Sequence, residues 1–311
     1  MFMNKSIRVL NFDDSIPKQK QLMSQYNPLV IDLKELGPKV RFWMSARHRR
    51  ELERIINNLP KGCPVTFLGS GDFHHISSLL INTFNRPLSV IVFDFHPDWD
   101  TLPPHFSCGS WVNQALKNEN IKKCVLLGVS SDDISSLWIE GANFYLLKDN
   151  RTEIYPYGHK PSKVFFRRVP QNLSFTLKKH TFFKEIHWDE LKRNNLRDFI
   201  GLVLKRIPTK DVYISIDKDC LKKEYALTNW EEGSLSLEEL LLMLELIKKD
   251  LNIVGVDITG DYSAISIESS LKKLCSYFDH PKKAPADKLP EKAVTAINEG
   301  TNLKILQLLT R

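Results

Sequence analysis

The sequence lacks the features that mark membrane, secreted and disulfide-rich proteins. No run approaches the ~20 consecutive apolar residues that a membrane-spanning helix needs, and the first residues contain no apolar stretch long enough for a secretory signal. The five cysteines are widely separated and include no C-x-x-C pair, which excludes a zinc ribbon and a thioredoxin-like motif. These absences predict reduced thiols and a soluble, cytoplasmic protein.

Positive charge is in modest excess, with 44 Lys and Arg residues against 37 Asp and Glu residues. The densest basic cluster, in a predicted helix at residues 45–59, consists of Arg47, Arg49, Arg50 and Arg54. Because Glu51 and Glu53 share that helix, the mixed signs indicate a solvated face with i,i+4 ion pairs. No recognised nucleic-acid-binding module accompanies the charge. We therefore expect a small-molecule substrate, and neither nucleic acid nor membrane as a partner.

Short apolar segments alternate with longer segments of helical period. The predicted strands are residues 7–12, 29–32, 64–68, 89–95, 123–129, 144–147, 164–167, 212–217 and 252–258, and the clearest helices are residues 45–59, 191–205, 235–249 and 291–309. Several strands are nearly continuous in apolar residues, as strands covered on both faces of a parallel sheet are. This pattern predicts an α/β fold with three α/β/α layers and a mostly parallel central sheet. No repeat or low-complexity linker divides the chain, so residues 1–311 are expected to form a single domain.

Three of the predicted strands end in clusters of potential metal ligands. The segments are residues 68–75 (LGSGDFHH), 93–98 (FDFHPD) and 215–219 (SIDKD). Side chains at i and i+2 of an extended segment point the same way, so Asp94 pairs with His96 and Asp217 pairs with Asp219. Carboxylates crowded at the end of a buried sheet repel one another unless cations neutralise them. An oxygen-rich set with one or two histidines suits Mn²⁺ better than a structural zinc ion.

Each of these signals alone has an ordinary structural explanation. An Asp-x-Asp pair after a strand is usually a solvated turn, and His74 with His75 is more often one packed and one exposed histidine than a pair of ligands. The combination of all three, each after a strong strand of the same predicted sheet, favours a site. In open parallel sheets such sites form at the carboxyl ends of the strands.

The same segments resemble the motifs GGDH, DAHxD and SxDxDxxDP of the ureohydrolases, which include arginase, agmatinase and formiminoglutamase. More distantly they resemble the deacetylase-like enzymes that share the arginase fold. The resemblance spans residues 66–261 and implies an arginase-like fold with two divalent ions, for which we expect Mn²⁺. It implies that one ion is held by His74, Asp94, Asp98 and Asp217, and the other by Asp94, His96, Asp217 and Asp219. Although Phe73 interrupts the first motif, His74 is favoured over His75 as the ligand.

The resemblance also implies hydrolysis of a carbon–nitrogen bond by a hydroxide that bridges the metals. His105 lies in the loop after the second motif, where arginase-like enzymes keep a histidine that transfers protons, and Cys108 is the alternative there. Gly260 stands where members that cleave guanidines have a glutamate. We therefore expect a guanidine, amidine or amide substrate other than arginine, with Asp261 or Tyr262 lining its pocket.

Two other interpretations remain open. A deacetylase-like amidohydrolase would use a single zinc ion and the tandem histidines as acid–base groups. A catalytically silent relative would keep the fold as a binding protein, since a fold alone does not establish an activity. The number of metal ions per chain distinguishes these interpretations. The family resemblance also implies a possible homo-oligomer.

Overall fold

An eight-stranded sheet runs through the computed structural model, which describes residues 7–60, 64–136, 138–280, 286 and 289–310. Its strands, in chain order, are β1 (Ile7–Asn11), β2 (Leu29–Asp32), β3 (Val65–Gly69), β4 (Leu88–Phe93), β5 (Ile121–Leu127), β6 (Thr152–Tyr155), then β10 (Asp211–Asp217) and β11 (Asn252–Thr259). The spatial order is β2-β1-β3-β11-β10-β4-β5-β6, and every described pairing is parallel. A separate small sheet consists of β7 (Ser162–Val164), β8 (Phe175–Lys179) and β9 (Lys184–Trp188).

Helices cover both faces of the large sheet. They are α1 (Lys20–Tyr26), α2 (Gly37–Val40), α3 (Ala46–Asn57), α4 (Ser77–Ile81), α5 (Trp111–Ala115), α6 (Leu196–Lys205), α7 (Leu237–Asp250), α8 (Ser270–Asp279) and α9 (Glu291–Leu309). One hydrophobic core includes side chains of α2 to α5, and a second includes side chains of α1, α6, α7 and α9. Two cores on opposite faces of a parallel sheet confirm the predicted three-layer α/β/α fold.

Local sequence explains where the helices begin. Of the two serines available near residue 235, Ser236 caps α7: its side chain accepts from the Glu239 backbone, and the Glu239 carboxylate accepts from the Ser236 backbone. Asn195 caps α6, so the predicted helix at residues 191–205 is divided into a short 3₁₀ turn and α6. On α3, Arg49 pairs with Glu53 four residues later, as the mixed charges predict.

Two predicted strands differ from the structure. Residues 144–147 belong to a 3₁₀ segment, Phe144–Asn150, and not to a strand, because a short apolar run does not distinguish the two. The predicted strand at residues 164–167 is β7 (Ser162–Val164), and β8 (Phe175–Lys179) and β9 (Lys184–Trp188) were not predicted. Their lysines and polar residues interrupt the apolar pattern. The loop predicted at residues 281–290 falls largely outside the described residues.

The small sheet is antiparallel, in the order β7-β9-β8, and packs on the core that contains α3 to α5. Its buried contacts come from Val164, Phe175, Ile186 and Trp188. The Trp188 indole donates to Ser162 Oγ at 2.8 Å, which ties β9 to β7. No helix in the described part of the chain is long and apolar enough to cross a membrane.

The topology brings the three ligand-rich segments together. In the middle of the sheet the order is β3-β11-β10-β4, so the strands that precede these segments are neighbours or are separated only by β11. All of these strands are parallel, so their carboxyl ends meet at one edge. The second and third segments, which are about 120 residues apart in sequence, therefore converge there with the first.

A buried ion pair joins β5 to β6 at a distance from that edge. Lys123 Nζ lies 2.6 Å from Glu153 Oε1, and both side chains are almost fully buried. The Tyr155 hydroxyl donates to the other oxygen of Glu153, so the carboxylate is held from two sides. We expect Lys123→Met to lower the free energy of unfolding by about 3–5 kcal/mol, because the variant leaves an uncompensated buried carboxylate.

Urea denaturation of Lys123→Met, Glu153→Gln and the double variant tests this expectation. The amide introduced by Glu153→Gln is neutral and would still accept from Tyr155, so the double variant should lose less stability than the sum of the two single variants. Strictly additive losses would contradict the proposed charge compensation.

Candidate metal centre

Three carboxylates converge on one nitrogen of His74. The Nδ1 atom lies 3.1 Å from Asp94 Oδ2, 3.3 Å from Asp98 Oδ2 and 3.5 Å from Asp217 Oδ2. All four side chains are buried. One ring nitrogen carries at most one proton, so it can satisfy only one of the three oxygens. The arrangement therefore directs more electron pairs than protons towards one small volume.

A chain of hydrogen bonds on the other side of the ring orients His74. Ser215 Oγ donates to Asp257 Oδ1 at 2.7 Å, and it lies 2.8 Å from His74 Nε2. Since the serine proton is used by Asp257, Ser215 accepts from His74 Nε2–H. Burial lowers the pKa of His74, but hydrogen bonds from Nδ1 to Asp94 and Asp98 raise it well above its ordinary value. A proton on Nδ1 therefore occupies the position that a cation would take, and a hydrogen bond from the opposite ring nitrogen is typical of histidines that ligate metals.

A second group lies beside the first and shares Asp94. His96 Nδ1 is 3.1 Å from Asp219 Oδ2 and 3.6 Å from Asp94 Oδ1. Within each of the two sets, His74 with Asp94 and Asp98 and then Asp94 with His96 and Asp219, the potential ligand atoms lie within 4.8 Å of one another. Asp94 directs one oxygen to each histidine, so it belongs to both sets. Asp217 lies beside the His74 set.

Backbone and indole donors hold these carboxylates in place. Asp94 Oδ1 accepts from the His96 backbone at 2.7 Å, and Asp219 Oδ1 accepts from the Phe95 backbone at 3.0 Å. Asp98 Oδ2 accepts from the Trp111 indole at 2.6 Å. Asp98 has φ of 46°, a left-handed conformation that turns its side chain back towards His74. In the D-x-H-x-D segment, a tight turn at Asp98 as well as the extended end of the strand therefore positions the side chains.

The pKa shifts show that the cluster cannot carry its full negative charge alone. Burial and the charge of Asp94 raise the pKa of Asp98 to about 7. Burial and the charge of Asp219 raise the pKa of Asp217 well above its ordinary value. Burial would also raise the pKa of Asp94, but hydrogen bonds from both histidines hold it below its ordinary range. Divalent cations fit this donor set, because they replace the protons that the carboxylates otherwise need.

The first ligand-rich segment separates its two histidines. Residues Gly71–Ile76 form a 3₁₀ turn in which His74 faces the carboxylates. His75 is also buried, yet neither of its ring nitrogens has a side-chain hydrogen-bond partner among the described residues, and it belongs to neither ligand set. Burial lowers the pKa of His75 to about 3, so this histidine is neutral. Of the two histidines, His74 faces the carboxylates and His75 does not.

The residues predicted for proton transfer and substrate binding lie elsewhere. His105 is exposed, and among the described residues the cavity over the carboxylates is lined by Pro104 and Cys108 of that loop but not by His105. Asp261 does not line the cavity either. It is buried, with Oδ1 2.9 Å from Lys218 Nζ and 2.7 Å from Gln19 Nε2. The prediction that Asp261 lines the pocket is wrong, because this carboxylate neutralises a buried lysine behind the site.

The surroundings of Gly260 explain why the chain has a glycine immediately before Asp261. It has φ of 84°, and a Cβ atom there would lie 2.6 Å from the Lys218 backbone nitrogen and closer still to Asp217 Oδ1. No side chain at residue 260 fits without displacing Asp217. The glycine at residue 260 is thus coupled to the position of a candidate ligand.

The cavity above the two sets has a volume of about 690 Å³ and an acidic lining. Besides the candidate ligands, its carboxylates come from Asp100, Asp132, Asp133 and Glu231, and no Lys or Arg lines it among the described residues. Aromatic and aliphatic side chains form the remainder, notably Phe42, Trp43, Leu102, Trp230 and Phe278. The basic surplus of the chain is therefore absent from its main cavity.

Sequence reasoning missed Glu231 and the network that supports it. Glu231 Oε2 lies 3.5 Å from His96 Nε2, on the side of the ring away from Asp219. The neighbouring Trp230 packs edge-on against His96 and donates to Asp72 at 3.1 Å. Asp72 is also bonded by Arg41 and His280, at 2.6 Å and 2.7 Å. No local pattern links these residues, because they are far apart in sequence.

Comparisons of sequence give two matches. A model described as the arginase family matches residues 166–260. An uncharacterized protein of Thermotoga maritima is 27% identical over 256 residues, which cover 82% of this chain and 79% of that protein.

Comparisons of structure place the chain among solved proteins of one fold. An arginase from Bacillus subtilis is 15% identical with a TM-score of 0.54, and 98% of each chain is covered. A hypothetical agmatinase from Burkholderia thailandensis is 16% identical with a TM-score of 0.53, over 98% of this chain and 86% of that one. Trypanosoma cruzi formiminoglutamase with Mn²⁺ is 14% identical with a TM-score of 0.53, over 96% and 92%. At these identities the likeness establishes the shared fold.

Gly260→Ala should lower the free energy of unfolding by about 1–3 kcal/mol, because the new Cβ meets Asp217 and the backbone is left-handed. Gly201→Ala, within α6 and with no atom near its Cβ position, is the matched control and should be neutral or stabilising by up to about 1 kcal/mol. Thermal and urea denaturation compare the two. Equal stability of both variants would refute the close approach of Asp217 to residue 260.

Proposed function

We propose that the chain is a divergent member of the ureohydrolase family and a dinuclear metal-dependent hydrolase of a carbon–nitrogen bond. The observation that carries this proposal is the position of Asp94 between two sets of ligands, each with its own histidine. Mn²⁺ is the proposed metal, since the donors are mostly carboxylate oxygens with two imidazoles. A neighbouring formiminoglutamase was solved with this ion.

The proposed ligands of one ion are His74, Asp94, Asp98 and Asp217, and those of the other are Asp94, His96, Asp217 and Asp219. Two divalent ions so held supply activation of a water molecule for attack on a trigonal carbon and stabilisation of the charge that develops there. The chain's own contribution is geometric. Ser215 orients the His74 ring, and Trp111 fixes the Asp98 carboxylate.

The cavity favours a substrate that carries positive charge. It offers four carboxylates beyond the candidate ligands and no lysine or arginine among the described lining residues, so the carboxylate group of an amino acid would meet repulsion there. The aromatic lining suits the apolar body of such a cation or its charged end. We propose a cationic guanidine or amidine without a carboxylate group, and an amide only if it carries a separate cation.

The test is a panel of matched compounds. Purified protein loaded with Mn²⁺ is incubated with guanidines and amidines that differ only by the presence of a carboxylate, and released urea and ammonia are measured. Turnover of the cationic members and at least ~10-fold lower kcat/KM for their carboxylate-bearing partners is the expected result. Faster turnover of the carboxylate-bearing partners would contradict the charge argument while leaving the hydrolase proposal in place.

Metal content tests the dinuclear site directly. After removal of bound ions and reloading with Mn²⁺, elemental analysis should give about two ions per wild-type chain. Asp94→Asn should lose both, since it removes the shared ligand, and Asp217→Asn should lose at least one. Asp133→Asn, at the cavity wall but outside both sets, is the control and should keep the wild-type content.

Other outcomes decide between the remaining interpretations. One zinc ion per chain would favour the deacetylase-like amidohydrolase. No bound metal in a folded protein would favour the catalytically silent relative and overturn the enzyme proposal.

Glu231 is proposed to orient His96 by accepting from its Nε2–H, which leaves Nδ1 for the metal. Glu231→Gln should weaken binding of the second Mn²⁺ by about 10-fold or more while the first stays bound. Glu232→Gln is the matched control, because Glu232 is exposed and faces Lys223 at 3.8 Å. Calorimetric titration of Mn²⁺ measures both variants, and equal affinities for the second ion would exclude the role of Glu231.

A further inference from the structure

The excess of positive charge lies in one continuous segment. Residues 154–184 contain seven Lys or Arg residues and no Asp or Glu, which equals the net charge of +7 for the whole chain. This segment includes β7, β8 and the first residue of β9. The surplus that the sequence shows is therefore concentrated on the small sheet and not spread over the molecule.

Two loops of that sheet meet at one end. The pairing of Val164 with Lys184 and of Lys179 with Lys184 places the end of β7 beside the turn between β8 and β9. We call residues 165–168 and 180–183 together the aromatic tip. Its sequences are FFRR and HTFF. The Phe165 and Phe183 rings, one from each loop, lie 5.7 Å apart, so the two loops form one surface.

The aromatic tip exposes apolar rings that globular proteins usually bury. Phe166 is 94% exposed and Phe182 is 84% exposed, the two highest values among the exposed large hydrophobic residues described. The Phe165 ring lies 6.2 Å from that of Phe166 and 5.7 Å from that of Phe183, and Phe183 stacks on His180 at 4.4 Å. Contiguous exposed apolar surface of this kind marks an interaction site more often than chance exposure does.

Cations at or beside the tip outnumber the acids near it. Arg168, Lys178 and Lys179 are exposed there. The nearest acid in sequence is Glu185, which lies opposite Lys178 in the β8–β9 register and whose carboxylate faces His187 at 2.8 Å and His180 at 3.7 Å. Two copies joined tip to tip would bring like charges together, which disfavours self-association there. The complementary partner is anionic.

We propose that the aromatic tip binds the surface of an anionic lipid bilayer. Phe166 and Phe182 are highly exposed on separate loops of the tip, and exposed cations lie beside them in sequence. Apolar side chains at the boundary of headgroups and acyl chains, with Lys and Arg near anionic headgroups, form such a contact. Single-stranded nucleic acid instead binds along grooves with open aromatic platforms, whereas the Phe183 face is occupied by His180.

This proposal is independent of the catalytic one, and it revises the expectation of no membrane partner. That expectation came from the lack of a segment able to span a bilayer, and adsorption to the surface needs no such segment.

Sedimentation of the full chain with lipid vesicles tests the proposal. The protein should bind vesicles of phosphatidylcholine mixed with phosphatidylglycerol and not vesicles of phosphatidylcholine alone. Binding should weaken as salt rises from ~0.05 M to ~0.5 M, because the screening length falls. Phe166→Ser/Phe182→Ser should lower the partition coefficient at least ~10-fold. Arg168→Gln/Lys179→Gln should lower it by roughly 25-fold, about fivefold for each cation.

Matched variants elsewhere control for general loss of charge or apolar surface. Leu202→Ser removes an apolar side chain that is 54% exposed on α6, and Arg47→Gln/Arg50→Gln removes two exposed cations of α3. Both should bind vesicles like the wild type. Absence of binding to anionic vesicles, or equal loss in these controls, overturns the proposal. Retention of oligothymidine through the same four residues, without vesicle binding, would replace it with a nucleic-acid surface.

Discussion

Repulsion among buried carboxylates is the constraint that shapes the whole site. Asp94, Asp98, Asp217 and Asp219 are all nearly inaccessible to water, and their pKa values move apart because they cannot all be ionised together. The neighbouring groups reduce this repulsion. Backbone N–H groups and the Trp111 indole stabilise individual oxygens, and the remaining charge converges on positions that suit divalent cations.

The residues behind the ligands form a scaffold that extends across the chain. The link from Asp257 through Ser215 to His74 sets which nitrogen faces the cluster. Between Asp217 and Asp219, Lys218 is buried and paired with Asp261, which is also bonded by Gln19 and Asn302 from distant parts of the sequence. The conformations of Gly260 and Asp261 are therefore determined by packing around the site. The acids that line the cavity come from other loops.

Charge is distributed unevenly over this molecule. The cavity is lined by acids although the chain is basic overall, and the basic surplus lies on the small antiparallel sheet. The two regions have opposite preferences: the cavity attracts cations, and the small sheet attracts anionic surfaces. Net charge alone suggests an anionic substrate or nucleic acid equally well. Only the positions of the charges in the structure distinguish the acidic cavity, for which we propose catalysis, from the basic small sheet, for which we propose surface binding.

Local patterns in the sequence were enough to determine the fold class and the ligand types. Continuous apolar strands require cover on both faces, and i, i+2 spacing after a strand aims Asp94 with His96, and Asp217 with Asp219, to one side. The choice between His74 and His75, the inward turn of Asp261 towards Lys218, and the roles of Glu231 and Trp230 depend on contacts between residues far apart in the chain. Those contacts arise only after β3, β11, β10 and β4 are placed side by side. A sequence shows which side chains are available at a strand end, whereas burial and neighbours from other segments decide which of them face the site.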